Sequence, residues 1–183
     1  MTLAEEVCAI RTSVGLSRAT HVAIVRVDGP GAFDVLQRAC TQAPYVREGR
    51  LRHTLLLRED ASVFADVFVV KMEESFLVFA EGPSEKDLAA WLERVRDKDE
   101  ATIVGLGSDF VAFGVDGPYA WEAMGGLLGP PAVGLPYLAM QRREDMLLLR
   151  AGKTGEYGYL LAIPSAQAGA VEDKLRTLGA ALD

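Results

Sequence analysis

Two carboxylates mark where this chain could do chemistry. Asp66 lies inside Val63-Phe64-Ala65-Asp66-Val67-Phe68-Val69-Val70, an otherwise apolar run. Strand alternation puts Asp66 on one face with Phe64 and Phe68, and Ala65 with Val67 and Val69 on the other. An acid in such a strand either faces solvent or holds a partner in a cleft. Beside aromatic rings its pKa would tend upward, which suits a base or an electrostatic partner. Glu156 lies in Arg150-Ala151-Gly152-Lys153-Thr154-Gly155-Glu156-Tyr157-Gly158-Tyr159. The glycines there predict a hairpin or tight loop whose backbone a ligand can approach closely. A carboxylate in that loop can accept two N–H bonds from a flat heterocycle with an amidine-like edge. An ordinary glycine-rich turn with a solvated Glu has the same sequence.

Other reactive groups are sparse. His21 and His53 are the only histidines, and Cys8 and Cys40 the only cysteines. None stands in a cluster at ligand spacing, so no metal site is expected, and both histidines read as hydrogen-bonded structural groups in strand regions. No Walker-type loop, dinucleotide fingerprint or serine nucleophile elbow occurs. Arg47, Arg50, Arg52 and Arg58 form a local basic cluster. It either attracts a polyanionic ligand tail or is a solvated strand face.

The elements that must position these groups are built on a repeat. Val27-Asp28-Gly29-Pro30 returns as Val115-Asp116-Gly117-Pro118, each copy after an alternating apolar run, Val22 to Arg26 and Phe110 to Gly114. Each copy predicts strand, turn and helix: Asp-Gly ends the strand, and Pro suits the first helical turn. A short helix is expected from Leu3 to Thr12. Another runs from Gly31 to Thr41, with Phe33, Leu36, Gln37 and Cys40 on one side. Leu51 to Leu57 and Val63 to Met72 read as an antiparallel pair, and Ser75 to Ala80 as the next strand. Ser84 caps a helix in a capping-box arrangement with Asp87, running to about Lys98 and burying Leu88, Trp91, Leu92 and Val95. After a strand at Ala101 to Gly105 and the second copy comes a proline-rich connection, Gly129 to Leu138. Ala139 to Gln141, Met146 to Ala151 and Tyr157 to Ile163 read as strands, and Ser165 as the cap of a last helix reaching about Leu178. The predicted class is α+β, mainly antiparallel sheets with flanking helices. One domain, 1–183, is expected, made of two intertwined halves at roughly 1–100 and 101–183. One proposed site residue comes from each half, which would place a ligand between them.

Half of the 183 residues are apolar, so the chain can bury a core. The net charge of −7 gives no basic stripe for an extended nucleic-acid surface. Two cysteines make no disulfide framework, which suits a reducing cytoplasm. Met1 to Cys8 carries Glu5 and Glu6 and no basic n-region or long apolar run, so neither a signal peptide nor a membrane span is expected.

Six segments in order carry a family resemblance. They are Val14-Gly15-Leu16-Ser17-Arg18-Ala19-Thr20-His21, the Val-Asp-Gly-Pro phrase, His53-Thr54-Leu55-Leu56-Leu57, Ala65-Asp66-Val67, Glu85-Lys86-Asp87-Leu88 and Arg150-x-Gly-x-Thr-Gly-Glu-x-Gly. Over nearly the whole chain they resemble the glycine-cleavage T-protein, an aminomethyltransferase with related domains in dimethylglycine and sarcosine oxidising enzymes. The resemblance implies a tetrahydrofolate-binding domain for aminomethyl or methyl transfer on amine-derived substrates. It implies Asp66 as the catalytic acid or base at the amine that takes up the one-carbon unit. It implies Glu156 as the anchor of the pterin edge, Thr154 and Gly155 as its cradle, and His53 and Thr54 as cofactor-binding residues where the family reads Tyr-Thr. Arg18 stands in place of a family acid, Arg58 in place of an Asn, and Asp116 in place of a Gln. A second Asn, a folate contact in the family, would fall near Ala80 or Glu81 and is absent. Full-length T-proteins continue beyond the helix at Ser165 into another β-rich domain, so a partner subunit or homodimer is expected to supply it. The rival expectations are a non-catalytic scaffold that works through protein contacts and a subunit of an amine-oxidising complex.

Overall fold

The alternating runs fold as strands and the longer-period runs as helices over residues 2–182, which the computed structural model describes. First come α1 (Leu3–Thr12), β1 (Gly15–Arg18), β2 (Val22–Asp28), α2 (Ala32–Ala39), β3 (Leu51–Leu57), β4 (Val63–Lys71) and β5 (Ser75–Glu81). Then come α3 (Glu85–Arg96), β6 (Thr102–Gly105), β7 (Phe110–Asp116), α4 (Ala120–Leu128) and the single-turn α5 (Pro130–Val133). β8 (Met140–Arg143), β9 (Met146–Leu149) and β10 (Gly158–Pro164) follow, and a 3-10 turn at Ser165–Gln167 leads into α6 (Ala168–Ala180). The α+β class with two antiparallel sheets and flanking helices is as expected.

The chain divides into two units, Thr20–Asp109 and the residues up to Ala19 taken with those from Phe110 onward. The first has the sheet order β3-β4-β5-β2-β6, the second β1-β7-β10-β9-β8. β1 precedes β2 in sequence yet pairs with β7, while β6 precedes β7 yet pairs with β2. The two copies of the repeat have thus exchanged their leading strands. In the first unit, Val25, Val27, Val67, Val69, Val78 and Ala80 meet Leu36 of α2 and Leu88 and Leu92 of α3 in one core. Each of these valines and leucines, fully buried, contributes about 1.5–3 kcal/mol. In the second unit Phe113, Val115, Tyr159, Leu161 and Ile163 meet Met124 of α4 and Leu175 of α6.

The doubled turn repeats its hydrogen bonds. Ala32 N–H donates to Gly29 O at 3.1 Å and Ala120 N–H to Gly117 O at 3.0 Å. Gly31 N–H donates to Glu100 O at 3.0 Å, and its counterpart Tyr119 N–H to Ser13 O at 3.2 Å. The prolines do not enter the first helical turn: Gly31 and Tyr119 are the N-caps, so Pro30 and Pro118 fix the turn just before them. Gly29 (φ 101°) and Gly117 (φ 136°) adopt left-handed conformations against backbone. A Cβ on Gly117 would strike Ser13 O and lie 3.0 Å from Val14 Cα. Gly117→Ala is therefore expected to cost roughly 2–4 kcal/mol, from strain and forced repacking together. Calorimetry should show that as a melting temperature lower by roughly 5–15 °C.

Three local expectations are corrected. Gln37 is exposed, because the buried stripe of α2 runs through Ala32, Val35, Leu36 and Ala39. Ser165 starts the 3-10 turn, and the N-cap of α6 is Gln167, without a side-chain cap bond. His21 sits in the turn before β2 and not in a strand. Ser84 does cap α3: it accepts from Asp87 N–H at 3.2 Å, while its hydroxyl donates to Asp87 Oδ2 at 2.6 Å.

Candidate functional site

Asp66 is fixed by its neighbours in the sheet. It stands opposite Leu55 of β3 and Glu81 of β5. Two residue pairs further along, on the same face, His53 stands opposite Phe68. That diagonal brings His53 Nε2 to 2.6 Å from Asp66 Oδ1. The imidazole lies on the Phe68 ring, centroids 4.7 Å apart and planes 28° from parallel. The side chains of His53 and Asp66 are 44% and 35% exposed, so both reach solvent.

A β-bulge changes the expected aromatic surroundings. Register shifts between Leu56 and Leu57, leaving Phe64 as the extra residue of β4. Phe64 turns to the helix-covered side, where its ring stacks on Trp91 of α3 at 5.3 Å. Asp66 therefore shares its face with Phe68 and not with both aromatics. Thr54, adjacent to His53 in β3, points the other way. It is buried, within 3.0 Å of the Thr41 hydroxyl, and accepts from Gln42 N–H at 3.1 Å. Its hydroxyl thus fastens the segment after α2 to the sheet.

The loop between β9 and β10 holds Glu156. Gly155 takes φ 85°, and a Cβ there would meet only Arg11 Nη1, at 3.7 Å. Arg11 of α1 donates to Thr154 O at 2.9 Å and Glu156 Oε1 at 3.0 Å, bridging the loop backbone and its carboxylate. The close approach the glycines allow is largely internal. A Cβ on Gly152 would lie 2.5 Å from Gly158 Cα, so these two glycines pinch the neck of the loop. Arg150 donates to Gly158 O at 3.0 Å and lies 4.2 Å over Tyr157 and 5.0 Å over Tyr159.

Asp116 closes this loop from β7. Its cross-strand partners are glycines on both sides, Gly15 and Gly158, and the Thr154 hydroxyl donates to its Oδ1 at 3.3 Å. Burial pushes the Asp116 carboxyl up from its ordinary range, against the opposing pulls of the Thr154 bond and the Arg150 charge. A raised native value means that the native state keeps this proton longer than the unfolded chain as pH rises. Stability from this group is therefore fullest in acid, below about 3.9, and is lost as pH rises through the native value. Asp116→Asn removes the buried charge and keeps an acceptor for Thr154. It is expected to raise the melting temperature at neutral pH and leave it unchanged in acid, as melts across pH would show.

The remaining sequence candidates separate in space. Arg50 precedes β3 and Arg58 follows it, so the basic cluster spreads along a strand rising about 3.3 Å per residue. Arg58 donates to Val63 O at 2.7 Å, and Arg52 to Tyr45 O at 3.3 Å. Arg18 lies over Phe113 at 5.6 Å and donates to Glu172 of α6 from Nε at 2.8 Å. Burial pushes the Cys40 thiol up to about 12, far from a nucleophile's range. Two adjoining cavities of about 650 and 620 Å³ share Arg58, Phe64 and Arg94 on the helix side of the sheet; Asp66 lines neither. Among the described residues no group of three or more His, Cys, Asp or Glu could hold a metal ion. No described helix is long and apolar enough to cross a membrane. Sequence reasoning missed Arg11 and the contact of Asp116 with Thr154.

The family described as GCVT N-terminal domain matches residues 1–183. An aminomethyltransferase of Saccharopolyspora erythraea is 31% identical over 178 residues, 94% of this chain and 48% of that protein. One from Methylococcus capsulatus is 27% identical, again over 94% of this chain and 48% of its own length. The chain thus spans about half the length of these curated relatives. The crystal structure of glycine cleavage system aminomethyltransferase T from Bartonella henselae superposes with a TM-score of 0.84 at 27% identity, covering 93% of this chain and 47% of that one. A chain of heterotetrameric sarcosine oxidase from Corynebacterium sp. U-96 shares the fold, with a TM-score of 0.63 at 16% identity, over 98% of this chain and 92% of its own.

Proposed function

The chain belongs to the GCVT N-terminal domain family, and on that premise we propose that it binds a reduced folate and serves one-carbon transfer on amine-derived substrates. The observation that carries the reading is Asp66, an accessible acid held by His53 at 2.6 Å on a sheet face. A bound reduced folate would supply nitrogens able to carry a one-carbon unit. Asp66 would orient the amine and take or return its proton, and its charge would favour positive charge developing there. Glu156, 31% exposed and steadied by Arg11, would accept from the donor edge of a pterin. Thr154 and Gly155 would shape that contact. A partner subunit or a second copy of the chain belongs to the same proposal, and light scattering coupled to size exclusion checks it.

Titration with 5-formyltetrahydrofolate tests the reading. At a hundred times its dissociation constant the ligand should add about 2.7 kcal/mol, raising the melting temperature by roughly 5–10 °C. An unmoved melting temperature at millimolar ligand sinks folate binding by this chain and leaves the scaffold reading.

A further inference from the structure

We propose that His53 is a positioning residue for Asp66, and that through it the ligand chemistry at Asp66 follows pH across the neutral range. The proposal rests on the reduced-folate reading above. His53 is restrained twice, by the 2.6 Å contact with Asp66 Oδ1 and by stacking on Phe68 at 4.7 Å. The acceptor is a carboxylate oxygen, so the proton of a neutral imidazole sits on Nε2. That N–H fixes one oxygen of Asp66 and with it the plane of the carboxylate. With His53 neutral, the pair carries one negative charge and attracts a cationic amine. With His53 protonated, the pair is neutral overall and the attraction weakens. On the neighbouring elements Glu81 of β5 stands directly opposite Asp66, and His21 Nε2 lies 4.0 Å from Glu81 Oε1. Of these four groups, the histidines are the ones that ordinarily change charge between about pH 5 and 8.

Two measurements test this. Imidazole NMR reads the pair without any folate, because the chain has only two histidines. The Nε2–H tautomer is expected for His53, and Asp66→Asn should move the His53 imidazole nitrogen resonances while leaving those of His21 in place. Unmoved His53 resonances overturn the pairing. The second measurement is single-turnover transfer across pH, in which 5,10-methylenetetrahydrofolate passes its methylene to an added primary amine, giving the imine and tetrahydrofolate. The wild-type rate should rise from about pH 5 to 8, and His53→Phe should flatten the profile and cut the alkaline rate about tenfold. His53→Gln retains an N–H donor that does not titrate, so most of the rate should return with the profile still flat. A merely structural His53 would lower the melting temperature of both variants and leave the profile's shape intact, and that result overturns the proposal. If the wild type fails to bind folate, the reduced-folate reading falls, and the NMR result still decides the pairing.

Discussion

Replacing Asp66 by Asn is expected to leave reduced-folate binding within about threefold of wild type and to cut one-carbon transfer by about 10²–10⁴-fold. Asn has nearly the same shape as Asp and keeps an oxygen that can accept from His53 Nε2–H. It loses the negative charge and the ability to take a proton. A group that acts in the transition state shows its loss in rate and not in binding. Calorimetric titration and single-turnover transfer separate the two quantities. The side chain is 35% exposed, so removing its charge should change the melting temperature little. A slow variant with unchanged binding and stability would therefore have lost chemistry, not fold. An Asp66→Asn variant as fast as wild type would remove Asp66 from the proposed mechanism.

The sequence made some of this geometry readable and hid the rest for physical reasons. Alternation in β4 was enough to put Asp66 on one sheet face, since side chains on a strand have a strict period of two. The same period separates His53 from Thr54, and a reading from motif order alone grouped them. The bulge that removes Phe64 from the face of Asp66 leaves no local mark, because one unpaired residue is defined by the partner strand. The repeated Val-Asp-Gly-Pro revealed two related units. It could not reveal that β1 pairs with β7 and β6 with β2, since strand pairing is a tertiary choice. Arg11 was invisible for a similar reason: its contacts at Thr154 and Glu156 lie 143 and 145 positions away. The Thr-Gly-Glu motif shows what a loop can offer, whereas the side chain that holds it comes from a helix at the other end of the sequence.

Glu156→Ala is expected to remove most of the ligand-induced rise in melting temperature, and Arg11→Ala to keep more than half of it. Two charge-assisted hydrogen bonds to a pterin edge, each worth about 1.5–3 kcal/mol, would account for at least a hundredfold in affinity. That is enough to erase a shift of roughly 5–10 °C at the same ligand concentration. The Arg11–Glu156 ion pair is itself a modest stabiliser, because its side chains are 55% and 31% exposed and such pairs contribute about 0–1 kcal/mol. Without ligand, then, both variants should melt within a few degrees of wild type. With ligand they should part. Arg11→Ala frees the loop yet leaves the carboxylate to accept, so binding pays only for reordering Thr154 to Glu156. Glu156→Ala leaves Arg11 bonded to Thr154 O and the loop in place, but takes away the acceptor. If the two variants instead lose the shift equally, Glu156 acts as a latch for α1 rather than as a ligand contact, and the pterin edge must be recognised elsewhere in the chain.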